Sequence, residues 1–264
     1  YLGVQRCDPL AQARRDSTDA QHTTRQPLRQ PGLAIINADQ PWLAQWIQQA
    51  GDARTITFGL SEKADYRAIN IQYQGLNGTR FDLIASSMVL PVSLRLPGAI
   101  QVINALAALA VAIELGVPPD SAVDGLGQVV PEVGRGAVLV GRTGGRVVDD
   151  SYNANPAAVM AAIDTLARES AYSVLILGPM LELWPTSDAL HGDVGRYAKA
   201  AGLDLLVAVG REAAAAAEAY GEGSHYFSNQ QALWAAFPEL PDEHLLWVKG
   251  SRDAMLEKTV HWLT

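Results

Sequence analysis

The sequence of 264 residues lacks the features that define several classes of protein. It has one cysteine, Cys7, so neither an internal disulfide nor a metal site made of several thiolates can form. Its longest apolar runs, such as 105–113, are shorter than the roughly 20 residues that a membrane-spanning helix needs. The first residues contain no apolar segment typical of a signal peptide. We therefore expect a cytoplasmic protein without a transmembrane segment.

Positive charge is also scarce. The chain has 20 Lys and Arg residues against 28 Asp and Glu residues, which gives a formal net charge of -8. A nucleic-acid-binding surface normally needs clustered Lys and Arg, so we expect no nucleic-acid partner. Backbone N–H groups at a helix start can still bind an anionic nucleotide within an acidic protein.

Several catalytic motifs are missing. The chain contains no G-x-x-x-x-G-K-[ST] phosphate loop, no G-x-S-x-G nucleophile motif and no zinc signature. Its 5 histidines are scattered without the spacing of metal ligands, so we predict no metal-binding side chains.

The first half of the chain changes in composition and in hydrophobic pattern along its length. Residues 1–31 are polar and lack periodicity, and we expect a poorly ordered leader. A strand at 33–37, a helix at 41–51 and a strand at 55–60 predict a parallel βαβ unit. Alternating apolar and polar residues at 66–97 predict an antiparallel meander of three strands.

Helical and glycine-rich segments follow the meander. Small and apolar residues predict a helix at 101–116 and a second, short helix at 120–127, capped by Asp120 or Ser121. The segment 130–146 is rich in Gly and Arg and is the predicted domain boundary.

From residue 146 onward, strands and helices alternate regularly, which predicts a doubly wound α/β sheet. The predicted strands are 146–150, 172–178, 204–210, 225–227 and 244–250. The predicted helices are 156–170, 187–202, 211–221, 229–237 and 251–263. Ligands bind such sheets at the carboxyl ends of the strands, so the functional residues should lie in the loops that lead into helices.

The segment DDSYNANP (149–156) places two carboxylates between an apolar strand and a helix that begins at Pro156. A structural explanation is that Asn155 caps this helix. It leaves Asp149 and Asp150 unexplained, because repulsion between neighbouring carboxylates raises the free energy of ionising both. A carboxylate at this place can accept hydrogen bonds from ribose or bind a metal ion, so we interpret the segment as part of a functional site.

The loop GPMLELWPTSDALH (178–191) also follows an apolar strand. Glu182 could act as a ligand or as a base. His191 falls one turn inside the next helix, and from the residues alone it is best explained as a surface residue.

The segment KGSR places Lys249, a glycine, a hydroxyl and Arg252 at the start of a helix, where backbone N–H groups favour anions. The alternative is a helix that Ser251 caps. In the glycine-rich segment, the Arg135 guanidinium could bind phosphate. Asn104 could bond to a base edge or bond locally within its helix.

Taken in order, these motifs resemble those of the Mur ligase family. The matching segments are AIINADQPW (34–42), TFGLSEKADYRA (57–68), LPG and NALAALA (96–110), GRG (134–136), VVDDSYNANPAAVMAAIDTLA (147–167), LGPMLEL with VGRYA (177–198) and VKGSRDAMLE (248–257). DDSYNANP together with MLEL and KGSR is similar to the members that add D-alanyl-D-alanine to UDP-N-acetylmuramoyl-tripeptide.

The resemblance implies an α/β protein made of part of a central domain and a doubly wound, Rossmann-like C-terminal domain. Residues 32–142 would be the second half of the central ATP-binding domain, and 143–264 the C-terminal ligase domain. The implied reaction forms an amide bond through an acyl phosphate in peptidoglycan precursor synthesis. It would use ATP and Mg²⁺, with UDP-N-acetylmuramoyl-tripeptide and D-Ala-D-Ala as substrates.

The resemblance also implies roles for individual residues. The implied nucleotide-binding residues are Asn104, Arg135, Asp150 and Tyr152. The implied catalytic residues are Asn153, Asn155 and His191. The implied residues on the amino-substrate side are Glu182, Lys249, Ser251 and Arg252.

The chain departs from the family pattern in three places. The family's phosphate loop does not occur in it, Ala99, Ile100 and Gln101 replace Arg, His and Asn, and Pro179 and Trp184 alter the MLEL motif. We therefore expect the isolated chain to be inactive. The alternative is a non-catalytic remnant or binding module that retains a D-Ala-D-Ala or ADP site. A central sheet cut in half would expose an edge near 32–60, which predicts self-association.

Overall fold

The computed structural model describes residues 32–264, so the predicted leader at 1–31 lies outside the described residues. The chain forms two compact units. In the described part, the first comprises 32–71, Phe81–Val92 and Val102–Leu126, and the second comprises Gln72–Arg80, Ser93–Gln101 and Gly127–Thr264. None of the helices in this range is long and apolar enough to cross a membrane.

The first sheet has five strands in chain order, interrupted by one helix between the first two. Its elements are β1 (Leu33–Asn37), α1 (Leu43–Ala50), β2 (Arg54–Gly59), β3 (Tyr66–Tyr73), β4 (Thr79–Ala85) and β5 (Met88–Leu94). β1 and β2 pair in parallel, which confirms the predicted βαβ unit. The predicted three-strand meander corresponds to β3, β4 and β5.

Two helices follow the first sheet, α2 (Ala99–Glu114) and α3 (Pro119–Gly127). One face of α2 is buried, with its small and apolar side chains turned into the unit. The predicted cap of α3 at Asp120 or Ser121 is wrong, because the helix begins at Pro119 and includes both residues in its first turn. A proline is well suited to this first position, since its φ is already helical and it has no N–H to leave unpaired.

The second sheet has six strands in the order β10-β9-β8-β11-β7-β6. The strands are β6 (Ala137–Val140), β7 (Arg146–Asp150), β8 (Tyr172–Leu177), β9 (Leu205–Val209), β10 (Ser224–Phe227) and β11 (His244–Lys249). The helices are α4 (Pro156–Leu166), α5 (Ser187–Ala200), α6 (Ala214–Tyr220), α7 (Gln230–Ala235) and α8 (Glu257–Leu263). All pairings are parallel except that of β6 with β7, so the predicted doubly wound sheet is confirmed.

Two buried clusters lie on opposite faces of this sheet. One contains Val159, Ile163 and Leu166 of α4, and the other contains Leu256 and Val260 around α8. The central strands β8, β9 and β11 are buried along almost their whole length, because helices cover both faces of a doubly wound sheet.

The strand β6 lies inside the segment that the sequence indicated as a loop and a domain boundary at 142. Its four residues pair antiparallel with β7, so they form the edge of the second sheet. The second unit accordingly includes every residue from Gly127 onward.

The helix predicted at 251–263 is interrupted. A 3-10 turn covers Arg252–Ala254, Met255 has a left-handed backbone with φ of 49°, and α8 begins only at Glu257. Lys249 therefore ends β11 and Arg252 begins the 3-10 turn, so no residue of KGSR lies in the first turn of the α-helix.

Candidate functional site

The predicted functional loops lie side by side at the carboxyl ends of the strands of the second sheet. β11 lies between β8 and β7, so the loops that follow these three strands leave the sheet side by side. They contain KGSR after β11, the GPMLELWPTS segment after β8 and DDSYNANP after β7. The order of the strands therefore confirms that three of the sequence motifs are neighbours.

Asp149 fixes the glycine-rich segment to the end of β7. Its buried carboxylate accepts hydrogen bonds from the Gly134 N–H at 2.9 Å and from the Ser151 hydroxyl at 2.6 Å. The N–H of Tyr152 donates to the Gly134 carbonyl at 3.0 Å. Gly134 has a φ of 81°, and a Cβ there would lie 3.2 Å from the Cβ of Tyr152, so this close approach needs glycine.

The same arrangement stacks Arg135 on Tyr152. The guanidinium carbon of Arg135 lies 4.0 Å from the centre of the Tyr152 ring, and that of Arg252 lies 5.7 Å from it. All three side chains are exposed at the surface. Two guanidinium groups beside one aromatic ring form a surface that can bind a planar base or an anionic group.

Asp150 takes different partners from its neighbour, because successive side chains of a strand point to opposite faces. Its Oδ2 accepts a hydrogen bond from Lys249 Nζ at 2.7 Å and one from Trp247 Nε1 at 3.1 Å. Burial raises the pKa of Asp150, and the Lys249 charge opposes that rise. Repulsion from Asp149 is the smallest contribution, so burial and not the carboxylate pair dominates the ionisation of Asp150.

His191 supports the loop after β8 through hydrogen bonds of its buried ring. Its ring is fully buried, and its Nε2 accepts a hydrogen bond from the Met180 N–H at 2.9 Å. Its Nδ1 lies 2.8 Å from the Ser187 carbonyl, to which it donates in the neutral form. Burial lowers the pKa of His191, and Glu212 and Asp188 oppose this effect. The prediction of a surface histidine is therefore wrong.

Ser251 supports the same loop from the side of β11. Its hydroxyl accepts a hydrogen bond from the Leu181 N–H at 2.9 Å, and its own N–H donates to the Pro179 carbonyl at 2.8 Å. It makes no side-chain cap of the following helical turn, so the structural alternative in which Ser251 is a cap is wrong.

A close approach of two glycines joins the loops after β8 and β11. A Cβ on Gly250 would lie 3.3 Å from the Cα of Gly178 and 2.8 Å from Leu256 Cδ1. The N–H of Gly178 donates to the Lys249 carbonyl at 2.8 Å. The backbones of the two loops consequently pack against each other, and a side chain at Gly250 would displace Leu256 and press on Gly178.

The structure places the remaining predicted residues in three settings. The Asn155 side chain caps α4 by accepting from the Ala158 N–H at 2.9 Å, which confirms its structural explanation. Asn153 is exposed, and its Oδ1 accepts from the Ala154 N–H. Glu182 is exposed and has a left-handed backbone. Asn104 lies on the exposed face of α2 in the first unit, whereas the other candidates lie in the second.

Sequence reasoning missed Trp247. It stands two residues before Lys249 on β11, and side chains two residues apart in a strand lie on the same face. That spacing could have indicated that both residues reach the same partner, but nothing in the local sequence identifies Asp150 as that partner.

Two family models match the chain. The Mur ligase middle domain matches residues 23–112, and the Mur ligase glutamate ligase domain matches residues 134–252. The chain is 35% identical over 240 residues to UDP-N-acetylmuramoyl-tripeptide--D-alanyl-D-alanine ligase of Escherichia coli (strain K12), covering 89% of this chain and 53% of the relative. The enzyme of the same name from Bacillus subtilis (strain 168) is 28% identical over 243 residues, with 88% and 51% covered.

Solved structures show the same relationship. Crystal structure I of MurF from Acinetobacter baumannii matches with a TM-score of 0.79 and 29% identity, over 88% of this chain and 51% of that one. MurF ligase from Thermotoga maritima in complex with ADP has a similar fold, with a TM-score of 0.74 and 22% identity, over 88% and 53%. The chain spans about half the length of these relatives. It belongs to the Mur ligase family and contains sequence of the family's middle and C-terminal domains.

Proposed function

We propose that this chain is part of an ATP-dependent ligase that joins D-alanyl-D-alanine to UDP-N-acetylmuramoyl-tripeptide by an amide bond. The proposal is supported by the relatives named for that reaction and by the motif trio after β7, β8 and β11. The single observation that carries it is the stacking of Arg135 on Tyr152, two residues after Asp150. This stack lies at the carboxyl ends of the strands, where such sheets bind ligands.

The nucleotide side of the site fits ADP or ATP. The exposed ring of Tyr152 offers a stacking surface, the Arg135 guanidinium offers paired donors for phosphate oxygens, and Asp150 offers a carboxylate for ribose hydroxyls. ATP would supply the phosphoryl group that activates the substrate carboxylate. Mg²⁺ would be bound through the nucleotide phosphates, because no three His, Cys, Asp or Glu side chains gather as metal ligands within residues 32–264.

We assign binding of the amino substrate to the exposed residues of the loops after β8 and β11. Arg252 is suited to the terminal carboxylate of a dipeptide, and Glu182 to its ammonium group. His191 and Ser251 act by holding the loop that contains Glu182, because their polar atoms are already bonded to its backbone.

Calorimetric titration of the 264-residue chain tests the ligand sites directly. We expect ADP to bind, and we expect Arg135→Met to weaken ADP about tenfold through loss of a charged contact. The matched control is Arg142→Met, an exposed arginine that stacks on Trp262 in the turn before β7, at the opposite ends of the strands, which should change the affinity less than twofold. Equal effects of the two variants would contradict the assignment of Arg135.

A second function is favoured by one feature of the sequence. These 264 residues contain no G-x-x-x-x-G-K-[ST] segment to bind the β- and γ-phosphates, so on their own they would form a binding module without turnover. A phosphate-release assay with ATP, Mg²⁺, UDP-N-acetylmuramoyl-tripeptide and D-Ala-D-Ala distinguishes the two functions. Turnover by the chain alone would establish a ligase, whereas ADP binding without turnover would support the module. Absence of binding to both ADP and D-Ala-D-Ala would support a remnant.

We further propose that the chain acts in the cytoplasm, where ATP is available, and that it self-associates. Among the described residues β1 pairs only with β2, and Trp42, Ile47 and Leu60 are exposed on the same unit. An unpaired strand edge near exposed apolar side chains favours association. Light scattering after size-exclusion chromatography should give a mass above one chain, and a monodisperse monomer of 28.2 kDa would contradict this proposal.

A further inference from the structure

Lys249 occupies a central place in the candidate site. It is the last residue of β11, and its neighbours in register are Asp150 at the end of β7 and Leu177 at the end of β8. Its backbone carbonyl accepts the hydrogen bond from Gly178. The residue therefore lies where all three functional loops begin.

The Lys249 ammonium group is enclosed by the protein. Its side chain is 5% exposed, and Nζ donates to Asp150 Oδ2 at 2.7 Å and to the Asn153 carbonyl at 2.9 Å. Burial of an ion pair costs desolvation free energy that the attraction often only balances. Such a pair adds little net stability, and here it fixes the position of its neighbours.

The contacts of Asp150 show what this positioning achieves. Lys249 and Trp247 both donate to Oδ2, and within residues 32–264 we find no hydrogen bond to Oδ1. The Asp150 side chain is 20% exposed, so solvent can reach part of the carboxylate. One oxygen is thus fixed by the protein while the other remains available to accept from a ligand.

The hydrogen bond from Lys249 to the Asn153 carbonyl also holds the loop after β7. Asn153 directly follows Tyr152, whose N–H is bonded to Gly134 and whose ring stacks with Arg135. Lys249 and Gly134 therefore hold this loop from its two sides.

We propose that Lys249 is a positioning residue, which orients the Asp150 carboxylate and the Tyr152–Asn153 loop for nucleotide binding without contacting the ligand itself. This inference rests on the proposed function and changes the role of Lys249 from a residue on the amino-substrate side to a support of the nucleotide side.

A double-mutant cycle on ADP affinity tests the proposal. If Lys249 is a positioning residue, then Lys249→Met and Asp150→Asn each weaken ADP about tenfold, and the double variant weakens it far less than a hundredfold, because the two residues act largely as one unit. If Lys249 contacts ADP independently, the two losses multiply to about a hundredfold, which would overturn the proposal. Lys258→Met, an exposed lysine of α8, is the matched control and should change the affinity less than twofold.

A second measurement needs no ADP affinity and separates this proposal from the proposed function. The indole N–H of Trp247 bonds to Asp150, so its NMR resonance reports the carboxylate; Trp247→Phe identifies it among the 6 tryptophans. We expect the acid titration midpoint to rise in Lys249→Met, because a neighbouring positive charge is lost. An unchanged midpoint would overturn the proposal even if ADP binds.

The wild-type chain provides a test that does not depend on folding of a variant. In a crystal structure of the wild-type chain with ADP, a positioning role keeps Lys249 Nζ within hydrogen-bond distance of Asp150 Oδ2 and of the Asn153 carbonyl. Displacement of Nζ from Asp150 to the nucleotide would overturn the positioning role. Absence of ADP binding by the wild-type chain would instead contradict the proposed function, while the Trp247 titration would still test the action of Lys249 on Asp150.

Discussion

The loops after β7 and β8 flank the same strand, β11, but are held by different chemistry. The loop after β7 is fixed by a buried ion pair between Lys249 and Asp150, whereas the loop after β8 is fixed by neutral hydrogen bonds that its backbone N–H groups donate to His191 and Ser251. The Asp150 oxygen Oδ1, for which no hydrogen bond is found within residues 32–264, and the Arg135–Tyr152 stack belong to the charged side. We infer that charge is retained where an anionic ligand must be oriented, and that neutral contacts suffice where the loop is only a support.

The largest expected effect comes from removing one member of the ion pair. Asp150→Ala would leave a lysine buried without its counter-ion, which should lower the free energy of unfolding by about 3 to 4 kcal/mol. The matched control is Asp193→Ala, which removes an exposed ion pair with Arg196 and should cost less than about 1 kcal/mol. Urea unfolding of both variants measures the difference. Similar losses would show that burial does not distinguish these pairs.

Removal of the neutral support should cost less. His191→Ala leaves the buried Met180 N–H without an acceptor and leaves a cavity, so we expect a loss of about 2 kcal/mol in the free energy of unfolding. His225→Ala, at an exposed position on β10, is the control and should change stability by less than about 0.5 kcal/mol. If the two variants unfold at the same urea concentration, the contact with Met180 does not support the loop.

The two sides should also respond to pH with opposite sign. Burial lowers the pKa of His191 from its usual 6.5, so as pH falls below 6.5 the unfolded chain takes up a proton that the folded chain does not. The free energy of unfolding then falls, by at most about 1.4 kcal/mol per pH unit. Burial raises the pKa of Asp150 above its usual 3.8, so the folded chain takes up that proton first, and stability rises as pH falls through the folded pKa.

Urea unfolding at a series of pH values separates these contributions. His191→Gln should flatten the decline that begins near pH 6.5, and Asp150→Asn should remove the opposite change at lower pH. A decline that persists unchanged in His191→Gln would assign it to other groups.

The smallest expected effect concerns the far end of the loop after β7. Asn155→Ala removes the side-chain cap of α4 and should lower the free energy of unfolding by about 1 kcal/mol. Asn229→Ala removes the equivalent cap of the shorter helix α7 and provides a matched reference. Thermal unfolding of both variants measures the two losses. A loss near zero for Asn155→Ala would mean that the side-chain cap does not stabilise α4.

The sequence predicts the buried strands well because their pattern is local. The strands Leu33–Asn37 and Arg146–Asp150 have the predicted bounds, since each contains adjacent apolar residues and ends at a polar one. β6 was missed because only four residues form it, two of its valines are exposed, and glycines flank it. Its identity as a strand depends on pairing with β7, which no local pattern shows.

The site shows the same division between local and distant information. The cap by Asn155 is three residues from its partner and was identified as the structural explanation. The partner of Lys249 is 99 residues away, and the Met180 N–H that bonds to His191 is 11 residues away. Sequence patterns therefore indicate candidate loops that prove to be neighbours, but they cannot tell a supporting side chain from an exposed one.

The close approach of Gly178 and Gly250 has a consequence for exchanging parts between relatives. The backbones of the two loops pack against each other, and the Leu256 side chain fills the space beside both glycines. A chimera that receives only one of these loops would bring a backbone shape that its neighbour does not match. We therefore expect a chimera to fold well only when the loops after β8 and β11 are transplanted together.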